Sequence, residues 1–436
     1  MKPITTILSS GYGRLHLAQS AQWLNKTGVI VKLVCGWVPR NPNGRMVRLC
    51  SWLMGRDLSS GMRKRAVALE RGGEVLSCAW ADFLSQMLFM LERVVLKGRF
   101  HGSIAAFAWW IFGWQTQRDI KKFGVKGRSV FHVRSGAGHG GAIKLAQRMG
   151  IPVVVDHSIA HPAFMETNLR NEYERNQALF DLGVDSRFWR MVAEDCNWAD
   201  VLLVNSYFVR DTFVEQGYPS HKIKVVYLGT RHDFSHVRRV RAVGRGDRKL
   251  KLLFTGGFGF RKGAEYILDA VKLLKKKASV PFEMDVVGDF SGAKSIIEKH
   301  KDENLPVTFH GPVPQEDLKR FLAQSDIYVF PSLAEGCACS GMEAMLAGLC
   351  VVATREAGFP IEDGVNGCIV PGKDADALAA CILGLMRDPT QIDKMGDAAA
   401  DLVGTEYTWE KYAVSVRAIY EELLSTTSVK FGGECE

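Results

Sequence analysis

Glu335 and Glu343 stand eight positions apart in SLAEGCACSGMEAMLAG (332–348), separated mainly by small residues. Two carboxylates in such a setting can form a hydrolytic acid/base pair, cap a helix, or accept hydrogen bonds from the hydroxyls of a bound polyol. A hydrolytic pair needs carboxyls roughly 5–9.5 Å apart, which a loop-and-helix spacing of eight does not ensure. The plainer accounts are capping for Glu343 and a solvated loop acid for Glu335. Ser340-Gly-Met-Glu343 has the S-x-x-E form of a capping box, so Ser340 is expected to open a short helix that stops at Gly348. Gly336, Ala338 and Gly341 would let an anion approach the first N–H groups of that helix.

A second loop, GFGFRKG (257–263), follows the apolar run KLLFTG and precedes the helical pattern AEYILDAVKLLKKK (264–277). It matches neither GxxxxGK[ST] nor GxGxxG, because Lys262 stands where the last glycine would be. It still presents Arg261 and Lys262 beside a helix start, where a forked guanidinium and a point-charge ammonium suit a diphosphate. The bland alternative is a surface Arg-Lys pair. His157 ends the strand pattern PVVVDH and is the first candidate for a crevice histidine, with His161 second; either could instead be a satisfied structural residue.

These loops need strands to hold them. Short β-branched runs alternate with helical patterns: ITTIL (4–8), GVIVKLVCGW (28–37), SVFHV (129–133), PVVVD (152–156), VLLVN (201–205) and KIKVVYL (222–228) in one half. KLLFTGG (251–257), FEMDVVGD (282–289), VTFHG (307–311), IYVFPS (327–332), CVVAT (350–354) and GCIV (367–370) follow in the other. That order predicts an α/β protein of two Rossmann-like, doubly wound domains facing a crevice, and 436 residues exceed one typical core. The expected division is 1–235, a basic solvated linker 236–249, 250–405, a returning helix 406–425 and a tail 426–436.

Residues 1–249 carry 37 Lys+Arg against 19 Asp+Glu, a net of +18, whereas 250–436 carry 19 against 28, a net of −9. A basic half suits a diphosphate-bearing substrate or anionic lipid. A nucleic-acid partner is not expected, since the aromatics cluster in one apolar block (Trp80–Trp114) rather than interleaving with the cations. Glu92, Arg93, Lys97, Arg99 and His101 interrupt that block, which excludes a spanning helix of roughly 20 apolar residues. It reads either as core and interdomain helices or as an amphipathic patch on a membrane surface, with Arg63, Lys64, Arg65 and Lys97 meeting lipid phosphates. Ten cysteines without a CxxC or zinc spacing suit reduced thiols in a cytoplasmic protein; no metal site and no secretory signal are expected.

The second half resembles the nucleotide-binding domain of the retaining glycosyltransferases of family four, whose architecture is GT-B. The resemblance rests on FTGGFGFRKGAEYILDA (254–270), VTFHGPVPQEDLKRFLAQSDIYVFPSLAEG (307–336), the Glu335-to-Glu343 spacing, EAMLAGLCVVAT (343–354) and GFPIEDGVNGCIVPGKD (358–374). YTWEKYAVSVRAIYEELL (407–424) is similar to the family's final helix. SSGYGRLHLAQSAQWLNKTGVIVKLV (9–34) and VRSGAGHGGAIKLAQRMGIPVVVDHSIAHP (133–162) are similar, more loosely, to its first-domain loops.

The resemblance implies that Arg261 and Lys262 hold the diphosphate of a UDP- or GDP-sugar donor, with Gly257, Gly336, Ser340 and Gly341 lining its site. Glu343 would bind the ribose, and Glu335 the donor sugar near the reacting centre. His157 would assist there, and Gly11 and Gly13 would admit the phosphates from the opposite domain. It implies no cofactor. The basic charge and the aromatics of the first half, rather than the resemblance, point to a saccharide or lipid-linked glycan as acceptor, met in the cytoplasm at the inner face of the membrane. The family's usual Gly-Phe-Gly is Gly336-Cys337-Ala338 here, which puts the donor sugar in question. A sugar-nucleotide epimerase and a non-catalytic, membrane-associated sugar-nucleotide binder are the rival readings.

Overall fold

A computed structural model describes residues 3–431 apart from 13–15, 40, 42, 46, 49–50, 52–56, 58, 60–66, 96–99, 231, 235 and 240–248. The apolar runs become two all-parallel sheets. The first has the order β3-β2-β1-β4-β5-β6-β7, formed by Thr5–Ser9 (β1), Ile30–Cys35 (β2), Glu74–Ser77 (β3), Ser129–Arg134 (β4), Val153–His157 (β5), Val201–Val204 (β6) and Ile223–Val225 (β7). The second has the order β10-β9-β8-β11-β12-β13, formed by Leu250–Thr255 (β8), Phe282–Val287 (β9), Val307–Gly311 (β10), Ile327–Phe330 (β11), Cys350–Thr354 (β12) and Cys368–Val370 (β13). Parallel strands need crossover connections, so helices cover the faces and the central strands read as continuous apolar runs.

In each sheet the strand order reverses once, between β1 and β4 and between β8 and β11. Helices leaving the two sides of such a point diverge and leave a crevice at the carboxyl ends of the strands. The loop after β8 carries Arg261 and Lys262, and the loop after β11 carries Glu335. Topology alone therefore brings the two sequence motifs to one place.

Helix Trp409–Phe431 lies on the first sheet although it follows the second. Trp409, Tyr412, Ala413, Val416, Ile419 and Tyr420 recur at helical spacing and pack with Leu8, Leu17, Val31 and Leu33 in one core cluster. Tyr420 Oη lies 2.5 Å from His132 Nδ1, and Ser20 Oγ donates to Tyr412 Oη at 3.2 Å.

Two expectations are corrected. The start of the 236–249 stretch is not a solvated linker: Val237 packs into the second core, and Arg239 is buried, with its side chain bonded to Gly348 O and to Asp393. The helix after Glu335 is Cys339–Leu346, with Ala338 at its N-cap and no capping side chain. Ser340 does not cap it. It lies within the helix, past the N-cap, and its hydroxyl accepts from Tyr328 Oη of β11 at 2.9 Å.

Candidate active site

Strand β8 ends at Thr255 and the chain turns through Gly256 (φ 121°) to a short 3-10 turn, Phe260–Lys262. Gly263 (φ 73°) then starts helix Ala264–Lys277, and a Cβ there would sit 2.1 Å from Pro331 O. Only glycine fits that close, left-handed approach. The turn is anchored to the neighbouring loop, since Leu333 N and Ser332 Oγ both donate to Arg261 O, at 2.8 and 3.1 Å.

The side chains then converge. Arg261 Nη1 donates to Ala334 O and to Glu335 Oε2, each at 2.7 Å, and Lys262 Nζ lies 3.1 Å from the same oxygen and 4.6 Å over the Phe330 ring. Burial opposes ionisation of Glu335, but the two cations hold its carboxyl below the usual range. Burial likewise lowers Lys262, with Glu335 opposing. Two cations held by one carboxylate carry a net positive charge, an arrangement that can exchange part of its pairing for a bound anion.

The first domain closes on this spot. A Cβ on Gly336 would lie 2.1 Å from Ser158 O and 2.8 Å from Asn205 Oδ1, and Ser206 Oγ donates to Gly336 O at 2.5 Å. Asn168 Nδ2 donates to Leu333 O, Tyr266 Oη meets Glu172 at 3.0 Å, and Arg355 bonds Asp211 at 2.8 Å. Gly336 is thus required by contact between the domains.

His157 ends β5 one residue before Ser158. Its Nδ1 lies 2.8 Å from Ser135 Oγ, while its buried Nε2 makes no hydrogen bond among the described residues. Leaving such an atom unpaired costs about 1–3 kcal/mol, so the ring is suited to a ligand or water. His161 is committed elsewhere: its Nδ1 accepts from Ala163 N at 3.1 Å, capping helix Pro162–Arg175.

Burial, Arg134 and His161 push His157 down to about 3, and burial pushes His161 down to about 4. Both rings are neutral in the fold at pH 7 but protonate in the unfolded chain near pH 6.5. The unfolded state then binds more protons, so stability is expected to fall as pH drops from 6.5 towards 4, by up to about 1.4 kcal/mol per pH unit for each ring. Urea denaturation between pH 7.0 and 5.0 should show a shallower slope for His157→Gln than for the wild type; an equal slope would refute the assignment.

The remaining predicted residues fall as follows. Glu343 is buried on helix Cys339–Leu346 beside Tyr328. Gly257 faces open space, as a phosphate-approach position would. Gly341 makes room for the Phe359 ring, 2.0 Å from its would-be Cβ, and Gly11 (φ 68°) for the Trp109 ring at 2.3 Å. Cys337 is buried, and burial pushes its thiol well up, so it packs rather than reacts. Gly13 lies outside the described residues, as do Arg63, Lys64, Arg65 and Lys97. Sequence reading missed Ser135, Asn205 and Ser206. The signal was there for the last two: VLLVNS ends a buried strand in polar residues, at the end of the sheet where crevices form.

Two doubly wound parallel sheets closed on a crevice are the GT-B architecture. Over 98% of this chain and 100% of its own length, sucrose-phosphate synthase from Thermosynechococcus elongatus superposes with a TM-score of 0.65 at 18% identity. HepE from Anabaena, crystallised with UDP-glucose, superposes with a TM-score of 0.57 at 15% identity over 96% and 99% of the two chains. These likenesses define the fold. Residues 249–388, which carry the Arg261–Glu335 cluster, match the family model for glycosyl transferases group 1. The amylovoran biosynthesis glycosyltransferase AmsK of Erwinia amylovora is 30% identical over 218 residues, 48% of this chain and 53% of AmsK. The chain thus spans about half the length of the curated relatives it matches. The match falls on the half of the chain where the motifs pointed to that family.

Proposed function

We propose that the protein is a retaining glycosyltransferase that moves a hexose from a UDP- or GDP-sugar to a saccharide or lipid-linked glycan during surface polysaccharide synthesis. The observation that carries this is the convergence of Arg261, Lys262 and Glu335 at one switch point, closed over by the loop that follows His157. AmsK, named for polysaccharide biosynthesis, supports the pathway class, and HepE with its UDP-glucose makes UDP-sugars the first donors to try.

In this reading the diphosphate draws Arg261 and Lys262 partly away from Glu335, whose carboxylate then accepts from the sugar hydroxyls. Glu343 takes the ribose, with Ser340, Gly257 and Gly11 beside the phosphates. The bond from the anomeric carbon to the diphosphate oxygen breaks as the acceptor oxygen attacks from the same face, and the departing phosphate oxygen receives the acceptor's proton. Neutral His157 offers Nε2 to the sugar. The cations stabilise the leaving charge in a closed crevice, so the reaction needs no metal ion, and transfer takes place at the cytoplasmic face of the membrane.

The test is a panel of UDP- and GDP-sugars with detergent-extracted lipid-linked glycans, reading nucleoside diphosphate release and acceptor mass, with EDTA present or absent. Release coupled to one added hexose, unchanged by EDTA and reduced at least about a hundredfold in Glu335→Ala, is expected. Donor binding without turnover across the panel would turn the site into a sensor.

A further inference from the structure

The apolar block at Trp80–Trp114 forms two helices, Ala79–Val94 and His101–Phe123. They run antiparallel, with Trp80 against Trp114 (ring centroids 6.3 Å) at one end and Phe89 against His101 (5.7 Å) at the other. No helix of the described residues is long and apolar enough to cross a membrane. One side of the first helix nevertheless exposes Trp80, Phe83, Met87 and Met90, at 47–70%, and one side of the second exposes Phe107, Trp110 and Trp114, at 45–53%. The spacing in each is three or four residues, so each set forms a stripe, and the Trp80–Trp114 contact joins the stripes into one surface.

Charge on this hairpin is sorted. Its three acids, Asp82, Glu92 and Asp119, are all buried, Asp82 receiving Trp37 N at 2.7 Å and Glu92 lying 3.6 Å from His101. The stripe on the second helix continues instead into exposed Arg118, Lys121 and Lys122. An apolar face that runs into cations, with the hairpin's own acids turned inward, complements a surface that is apolar below and anionic above. A protein partner's mixed charges would not demand that sorting.

We infer that this helical hairpin is a docking surface for an anionic phospholipid bilayer, its aromatic stripe lying at the level of the acyl boundary and Arg118, Lys121 and Lys122 at the phosphates. The opposite side of the second helix sets Trp109 against Gly11 in the crevice loop, so docking places the crevice at the bilayer surface. That consequence serves a lipid-linked acceptor and deepens the proposed function, but docking itself is read without donor or acceptor and stands or falls separately.

Flotation of the full chain with phosphatidylglycerol/phosphatidylcholine vesicles is expected to carry the protein upward, and pure phosphatidylcholine vesicles to carry much less. Phe83→Glu with Phe107→Glu, and separately Lys121→Glu with Lys122→Glu, should each weaken binding about tenfold or more without moving the melting temperature. Failure of the wild type to float with anionic vesicles would overturn the inference, as would unaltered flotation of both double variants. Self-association lost in Phe83→Glu with Phe107→Glu, in a protein that ignores vesicles, would assign the face to a second copy instead.

Discussion

Arg261→Ala is expected to lower kcat/KM for sugar transfer about 10²–10³-fold, mostly in kcat, while the melting temperature moves by only a few degrees because Lys262 still holds Glu335. The guanidinium makes two 2.7 Å bonds, to Ala334 O and Glu335 Oε2, and its side chain keeps 25% of its exposure. It is therefore fixed in direction yet open to a ligand, the state in which a cation stabilises charge that develops on a leaving diphosphate without reorganising. Arg261→Lys should recover only part of the loss, since an ammonium cannot bond the Ala334 carbonyl, the carboxylate and a phosphate in one planar fork. Steady-state kinetics on the three proteins checks this. A loss under threefold in Arg261→Ala would remove Arg261 from the reaction.

Arg239→Ala is expected to cost about 3–5 kcal/mol of stability, read as the midpoint of guanidinium unfolding. The Arg239 side chain is 3% exposed, bonds Asp393 and Gly348 O, and lies 3.9 Å from the fully buried Asp326. Removing it takes the Arg239 charge away from two buried carboxylates, of which Asp326 also accepts from Lys251 N at 2.9 Å. Arg239→Met with Asp393→Leu should be milder than Arg239→Ala alone, because apolar groups of similar volume replace the bonded pair and only the more distant Asp326 loses a cation. If the double variant is no better, packing rather than charge governs the site.

Arg239 also marks where the sequence stops being informative. In HVRRVRAVGRGDRK it is one of six cations in a stretch that reads as solvated, and its carboxylate partner Asp393 lies 154 residues away. Nothing local distinguishes it from Arg238. Ser340 fails for a related reason: S-x-x-E is a local signal, and the helix takes Ala338 as its N-cap, so that Ser340 falls inside it and its hydroxyl meets Tyr328 Oη. Strand β3, Glu74–Ser77, was invisible because EVLS is short, lies at the sheet edge and is half exposed, so it carries no alternating pattern.

The central strands were legible because burial on both faces demands uninterrupted β-branched runs. Arg261, Lys262 and Glu335 could be placed because they lie on the loops that follow such strands, and His157 because it ends one; strand ends are where crevices form. The sequence also showed the aromatic block, but not that Asp82, Glu92 and Asp119 turn inward. That depends on the helical phase relative to neighbours such as Trp37, whose N–H Asp82 accepts.

The placement of helix Trp409–Phe431 has a consequence for biosynthesis. A ribosome completes the last strand of the first sheet at Val225, but the helix that packs with Leu8, Val31 and Leu33 beside Leu17, Ala21 and Leu24 begins only at Trp409. The first domain therefore emerges with one face of its sheet covered only in part, by helix Leu17–Lys26, and waits for the whole second domain to be translated. Its folding is coupled to completion of the chain rather than to its own emergence. A nascent chain arrested before Trp409 is thus a species with part of an apolar sheet face exposed, the form of this protein most dependent on chaperones.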